Sequence, residues 1–360
     1  MASDLRKGVA IHPAGTTNGG VHDYRVQRRY FDDTNTPWVR LWAPWSYLQP
    51  TSGDSVGGHG NWAGLDAQVQ EANRNGRAVI ITAWKFPLWA NSVARNGFVG
   101  RNSDLYVPDS VAPGSPWSNF IKELILRYNP AFANNRGFAA CIEICNEPNI
   151  QFLPQTNVHV ITADMMRTAA RIKIDEGIAS SWPVLLAPGT GDTTEVSDYR
   201  TPYSTFTDRV LDNLKATGFK AGGWFGWSHH NHRDIELDAG IDGSITTTNR
   251  AKVTIDKLRS GSRWYGWGAE NDPASARMFL TEGGGRLNTI HSEWYPSLNY
   301  DRTRARDKQR VLLANNHNRM QNTSDGAGVA MLMHYLFTSD YVYDCGLRDA
   351  YTYLTVAESR

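Results

Sequence analysis

Cysteine is scarce, with three (Cys141, Cys145 and Cys345) in 360 residues. An odd count, with two of the three inside an apolar run that reads as a strand, excludes a disulfide-stapled scaffold and points to buried thiols, not metal ligands. An excess of charge of either sign is lacking too: 37 Lys and Arg face 36 Asp and Glu, without a like-charge run. No nucleic-acid partner and no acidic membrane surface is expected. Long hydrophobic runs are also missing. The longest near the end, GVAMLMHYLF within 326–337, falls well short of the roughly 20 apolar residues needed to span a bilayer. The opening MASDLRKGVAIHP has no apolar leader core. There is no linker, low-complexity tract or close repeat, and 41% hydrophobic with 20% charged residues is the composition of a folded chain, not a disordered one.

Aromatic residues are plentiful, with 13 Trp, 15 Tyr and 12 Phe. Their faces stack on the C–H faces of sugar rings while polar neighbours take the hydroxyls, so the composition hints at carbohydrate, although most of these rings must serve packing.

Short apolar runs alternate with longer amphipathic stretches along the whole chain, which predicts a parallel sheet. The strand candidates are 8–13, 38–44, 78–84, 139–147, 183–189, 223–230, 276–282 and 328–335. Helical patterns fill the gaps at 62–76, 117–128, 162–177, 206–218 and 306–320. Eight strands with intervening helices predict a single-domain (β/α)8 TIM barrel over 1–360, with a doubly wound open sheet as the alternative.

A barrel places its active site at the carboxyl ends of its strands. Those endings supply His12; Arg40 and Trp42; Trp84; Asn146 and Glu147; Gly189 to Asp192; His229, His230 and His232; Glu282; and Tyr335 with Phe337. Glu147 ends the fourth strand and Glu282 the seventh, so the two carboxylates are expected to face each other across the barrel mouth. Such a pair suits glycosidic cleavage: one protonated carboxyl donates to the leaving oxygen while the other, ionised, attacks the anomeric carbon. Glu143 faces the same side as Glu147 but sits four residues earlier, about 13 Å back along a strand. It reads as a buried partner for an Arg or Lys.

With EICNEPN ending the fourth strand, LTEGGG ending the seventh and WVRLW in the second, the chain resembles the clan A glycoside hydrolases, retaining (β/α)8 glycosidases. It is most similar to their cellulase and β-xylosidase/α-L-iduronidase families. The resemblance implies Glu147 as acid/base, Glu282 as nucleophile, Asn146 on the sugar 2-hydroxyl, and Arg40 against the nucleophile. It further implies His230 or His232 near the nucleophile or the sugar, where the clan often has Tyr in place of His232. The clan tends to end its eighth strand with a Trp under the sugar; this chain has none there, which leaves Tyr335 or Phe337. No cofactor is implied, and the partner is a carbohydrate.

Among the other aromatics near strand ends (Trp42, Trp89, Trp227, Trp267, Trp294, Tyr295 and Tyr300), Trp45 and Trp84 are the first choices for sugar stacking, with Trp294 a further contact. Two alternatives remain. One is a catalytically inactive sugar-binding barrel; the other is a metal-dependent hydrolase built on the His-x-His pair of His230 and His232. An extracellular setting, with the leader absent from this sequence, is the expectation, and a cytoplasmic one the alternative. Sugar identity, linkage and oligomeric state are not encoded in these motifs.

Overall fold

The computed structural model describes residues 5–12, 22–55, 59–92, 103–179, 182–198, 200–220, 225–238, 249–260, 276–322 and 328–335. Eight parallel strands close into a barrel in sequence order: β1 (Arg6–Ala10), β2 (Trp38–Pro44), β3 (Ala78–Trp84), β4 (Cys141–Glu143), β5 (Val184–Leu186), β6 (Phe225–His230), β7 (Met278–Glu282) and β8 (Val329–Tyr335). The closing contact runs from β8 to β1, with Ala10 paired to Tyr335. The (β/α)8 expectation therefore holds, and the open doubly wound sheet does not.

Helices wrap the barrel in the order α1 (Tyr24–Asp33), α2 (Trp45–Leu48), α3 (Ala63–Arg74), α4 (Pro116–Arg127), α5 (Pro148–Gln151), α6 (Val158–Asp175), α7 (Tyr203–Ala216), α8 (His232–Glu236), α9 (Arg250–Arg259), α10 (Leu287–Trp294) and α11 (Arg302–Asn322). Local chemistry sets their ends. At α4, Ser115 caps the first turn by accepting from Ser118 N, and Pro116 follows with its fixed φ. At α9, the Asn249 side chain accepts from Lys252 N at 2.8 Å. Among the described residues, no helix is long and apolar enough to cross a membrane.

Strand alternation divides the core into two sets. Val9, Val39, Leu41, Val79, Ile81, Ile142 and Leu185 face outward and join the helices in the large apolar cluster. The inward residues form layers up the barrel axis. A lower layer is apolar, with Trp38, Ile80, Cys141, Leu186, Phe279, Met331 and Met333. The next is polar, with Arg40, Thr82, Glu143, Ser228 and Thr281 all at 0% exposure. Above it, Ala10, Trp42, Trp84 and Tyr335 cluster. Cys141 and Cys145 are buried free thiols, as their sequence context implied; Cys345 lies outside the described residues.

Candidate active site

The polar layer is organised around Arg40. Its Nε and Nη2 donate to Glu143 Oε2 at 3.0 and 2.5 Å, and Nη2 also reaches Asn146 Oδ1 at 2.9 Å. Nη1 donates to Glu282 Oε1. Glu143 also accepts from Thr82 at 2.6 Å, from Thr281 at 2.8 Å and from the Ser228 hydroxyl. Burial penalises its charge, but Arg40, His230 and these hydroxyls outweigh that and hold its carboxyl below the usual range. Glu143 is thus the buried partner of an arginine, beneath the mouth and not in it.

Glu147 is carried in an unusual backbone state. The strand ends at Glu143, Asn146 bridges Gly189 of the next strand's extension, and Glu147 adopts φ 40°, ψ 52° in the left-handed region. Such a conformation costs a non-glycine residue about 1–2 kcal/mol. It is held by Glu147 N donating to Gly189 O at 2.8 Å and by Ile150 N and Gln151 N donating back to Glu147 O at 3.0 and 2.8 Å. Pro148 then opens α5, whose turn brings Gln151 Nε2 to Glu147 Oε2 at 2.7 Å. Gln151 Oε1 in turn accepts from Trp84 Nε1 at 2.8 Å.

One oxygen each of Glu147 and Glu282 and one nitrogen of His230 lie within 4.8 Å of one another. His230 Nδ1 shares a 2.9 Å hydrogen bond with Glu147 Oε1 and stands 3.6 Å from Glu282 Oε2. His232 Nδ1 bonds Gly284 O at 2.8 Å, which turns its Nε2 to within 3.6 Å of Glu282 Oε2. Burial alone would raise the Glu282 pKa. His230, Arg40 and His232 reverse that and hold it at about 2, so it is ionised at neutral pH. The same contacts act reciprocally: against burial, Glu282 and Asp192 lift His232 to about 9, and Glu282 with Glu147 raises His230.

The loop after β5 makes room for these groups. A Cβ at Gly189 would stand 2.5 Å from His230 Nε2 and 2.8 Å from Glu143 Oε1, and one at Gly191 would stand 3.0 Å from Glu147 Oε1. A side chain at 189 would displace the carboxylate–histidine cluster, while one at 191 would first meet Ile150 Cδ1 at 2.8 Å and press on Glu147.

Above the cluster opens a cavity of about 830 Å³, bordered by Trp42, Trp84, Asn146, Glu147, Gln151, His232, Glu282 and Tyr335 among others. Glu147, Glu282, Asn146, His232, Trp84 and Tyr335 therefore converge on one opening, with Arg40 and His230 directly beneath, both 0% exposed. Trp84 tilts against Trp42 at 5.0 Å, Lys85 lies over its ring, and Tyr335 meets His232 edge-on at 5.9 Å.

Three expectations change. Trp45 is no platform: it is 1% exposed, stacked on Phe120 at 5.2 Å with its indole N–H on Gln49, because α2 turns it into the outer core. Trp294 does not border the cavity; α10 points it to Glu236 O at 2.9 Å, with Lys308 over its face. His229 points away from the mouth, being on the opposite strand face from His230. It is fully buried beside Tyr203, and its pKa is pushed down to about 3. Trp267 and Phe337 lie outside the described residues. Gln151, which sequence reading passed over, joins the site through its i+4 spacing from Glu147 on α5; that spacing was the one available pointer to it.

Glu147, His230 and Glu282 are spaced as a metal triad would be. One Glu282 oxygen already takes Arg40, and His230 Nδ1 is engaged by Glu147. A dication there would have to stand beside a fixed guanidinium, which electrostatics disfavours.

No family model matches the chain, and no curated protein matches it. Solved structures do. The tri-modular endo-beta-1,4-glucanase B from Bacillus halodurans superposes with a TM-score of 0.59 at 11% identity, over 98% of this chain and 60% of that one. A glycoside hydrolase family 30 subfamily 8 xylanase from Clostridium acetobutylicum gives 0.54 at 13% identity, over 99% and 71%. A beta-glucosidase from Exiguobacterium marinum gives 0.53 at 11%, over 100% and 99%. At such identities the shared property is the fold. The chain spans only 60% of the Bacillus halodurans protein, and likewise 60% of a glucosidase from Croceicoccus marinus.

Proposed function

We propose that the protein is a retaining glycoside hydrolase of the clan A type, acting on a carbohydrate without a cofactor. The observation that carries this reading is the approach of Glu147 and Glu282 to within 4.8 Å across the mouth of the barrel. That bound accords with the roughly 5–5.5 Å of retaining enzymes and falls short of the about 6.5–9.5 Å at which inverting enzymes hold a water between their carboxyls. Electrostatics marks the nucleophile. Glu282, held ionised by Arg40 and the two histidines, attacks the anomeric carbon. Glu147 delivers its proton to the departing glycosidic oxygen, then takes a proton from the water that cleaves the glycosyl-enzyme ester, regenerating both groups.

Asn146 has its Oδ1 committed to Arg40, so its amide N–H groups are the donors left for a sugar hydroxyl. Trp84, Trp42 and Tyr335 supply ring faces in the cavity. The fold of the glucanase, xylanase and glucosidase neighbours supports the reading as analogy.

Hydrolysis of activated aryl glycosides, with the anomer of the first product followed by NMR, tests it. Retention is expected, together with loss of most turnover in Glu282→Ala. An inverted first product would remove the double displacement. Binding without any release of reducing ends would instead favour an inactive sugar-binding barrel, and abolition of activity by chelators the metal-dependent hydrolase.

A further inference from the structure

The Glu147 carboxyl is held by two side chains, His230 on Oε1 and Gln151 on Oε2. Of these, Gln151 also reaches the aromatic wall of the cavity. Its Nε2 donates to Glu147 Oε2 at 2.7 Å, and its Oε1 accepts from Trp84 Nε1 at 2.8 Å. Trp84, Gln151 and Glu147 all border the cavity. Trp84 is held from elsewhere: its ring meets Trp42 at 5.0 Å, and Lys85 Nζ, paired with Asp104 at 2.6 Å, lies 4.7 Å over it. Trp42 is fixed in turn by its indole N–H on Ile11 O at 2.6 Å. The indole of Trp84 is therefore the anchored end of the linkage, and the Glu147 carboxyl is the end that it steers.

Hydrogen-bond chemistry gives the linkage one direction. An indole N–H only donates, so it meets the oxygen of the Gln151 amide and leaves the NH2 group to face Glu147. Reversing the amide would set its NH2 against the indole N–H and its oxygen against the carboxyl. That oxygen would then accept the carboxyl's own proton and retain on the protein the proton that has to pass to the departing oxygen. As built, Gln151 offers Glu147 a donor and not an acceptor. Together with His230 Nδ1 on Oε1 at 2.9 Å, it fixes the plane of the carboxyl. The single turn of α5 ties the two residues together, with Gln151 N donating to Glu147 O at 2.8 Å.

We propose that Gln151 is a positioning residue for the general acid, locked in orientation by Trp84, so that the ring offered to the sugar also aligns the proton donor. The proposal rests on the glycan-cleaving reading of the same site. Gln151 acts through Glu147 and not on the reacting atoms, so its removal is felt in proportion to how much bond cleavage depends on a delivered proton.

The dependence of kcat/KM on the leaving group tests this, because kcat/KM reads the first bond cleavage and not the later hydrolysis of the glycosyl-enzyme. Phenyl and dinitrophenyl glycosides are compared in the sugar that the wild type cleaves best. Phenoxide departs poorly unless protonated, whereas dinitrophenoxide leaves as a stable anion. In Gln151→Met, which keeps the length and loses both polar ends, kcat/KM for the phenyl glycoside should fall about tenfold further than for the dinitrophenyl glycoside. Trp84→Phe keeps a ring face without the N–H and should show the same selectivity at about threefold. The double variant should match the selectivity of Gln151→Met within about twofold, since the lock then has no amide to hold. If Gln151→Met fails to fold by circular dichroism, Gln151→Leu replaces it. Equal losses on the two glycosides in the Gln151 variant, or selectivities that multiply in the double variant, overturn the proposal and leave the hydrolase reading standing. A wild type that cleaves neither glycoside of any sugar overturns the hydrolase reading, and this inference with it.

Discussion

Arg40 and Glu282 form a buried ion pair at the floor of the cavity, Nη1 to Oε1, while the other edge of the same guanidinium holds Glu143. One side chain therefore serves both the core and the candidate nucleophile. Breaking such a pair by deleting one partner costs about 3–5 kcal/mol, because the remaining charge is left buried.

Arg40→Lys separates these two duties, since an ammonium cannot span both carboxylates with the fork geometry. The variant is expected to fold with reduced stability and to lose at least about tenfold in kcat/KM. Its acidic limb in the pH profile should move upward by about one unit or more, because Glu282 loses the guanidinium contact that helps hold its pKa at about 2. An unmoved acidic limb would mean that Glu282 is not the group whose ionisation governs turnover.

His232 makes stability depend on pH in the alkaline direction. Its folded pKa of about 9 lies above the unfolded value of about 6.5. The stabilisation is thus fully present below pH ~6.5 and is lost as pH rises through 9, amounting to about 3 kcal/mol. Urea unfolding at pH 6, 7.5 and 9 should show the gap between wild type and His232→Gln shrinking by that order. Taking the difference isolates His232 from Asp234 and His229, which are also shifted.

The left-handed backbone at Glu147 reverses an ordinary ranking. Alanine usually stabilises relative to glycine by about 0.4–1 kcal/mol, but at φ 40° glycine avoids a penalty of about 1–2 kcal/mol. Both variants lose the carboxylate and should be inactive, while Glu147→Gly should melt above Glu147→Ala. The opposite order would show that this backbone relaxes when the side chain is removed.

Trp45 and Trp84 should separate stability from substrate binding. Trp45→Ala empties a core position and is expected to cost about 3–5 kcal/mol. Trp84→Ala, at the cavity, should act mainly on KM for glycans while leaving the denaturation midpoint close to wild type. A loss of stability in Trp84→Ala equal to that of Trp45→Ala would remove its role as a sugar platform.

Sequence by itself determined the architecture. Apolar runs of strand length in alternation with helical periodicity left little other than a (β/α)8 barrel; the rule that strand ends form the site brought Glu147 and Glu282 together, and the clan A resemblance added Asn146, Arg40 and His230 or His232 to them. Strand rise even separated Glu143 from Glu147, because it is nearly fixed per residue and four residues set the two apart although they share a face. Tertiary structure decided the rest. Strand-end position did not tell Trp45 from Trp84: they are equivalent in sequence terms, and only the turn of α2 sends one into the core while the other meets the cavity. Gln151 and the glycines at 189 and 191 carry no motif. Their roles arise from contacts between segments far apart in the chain, which exist only once the barrel has closed.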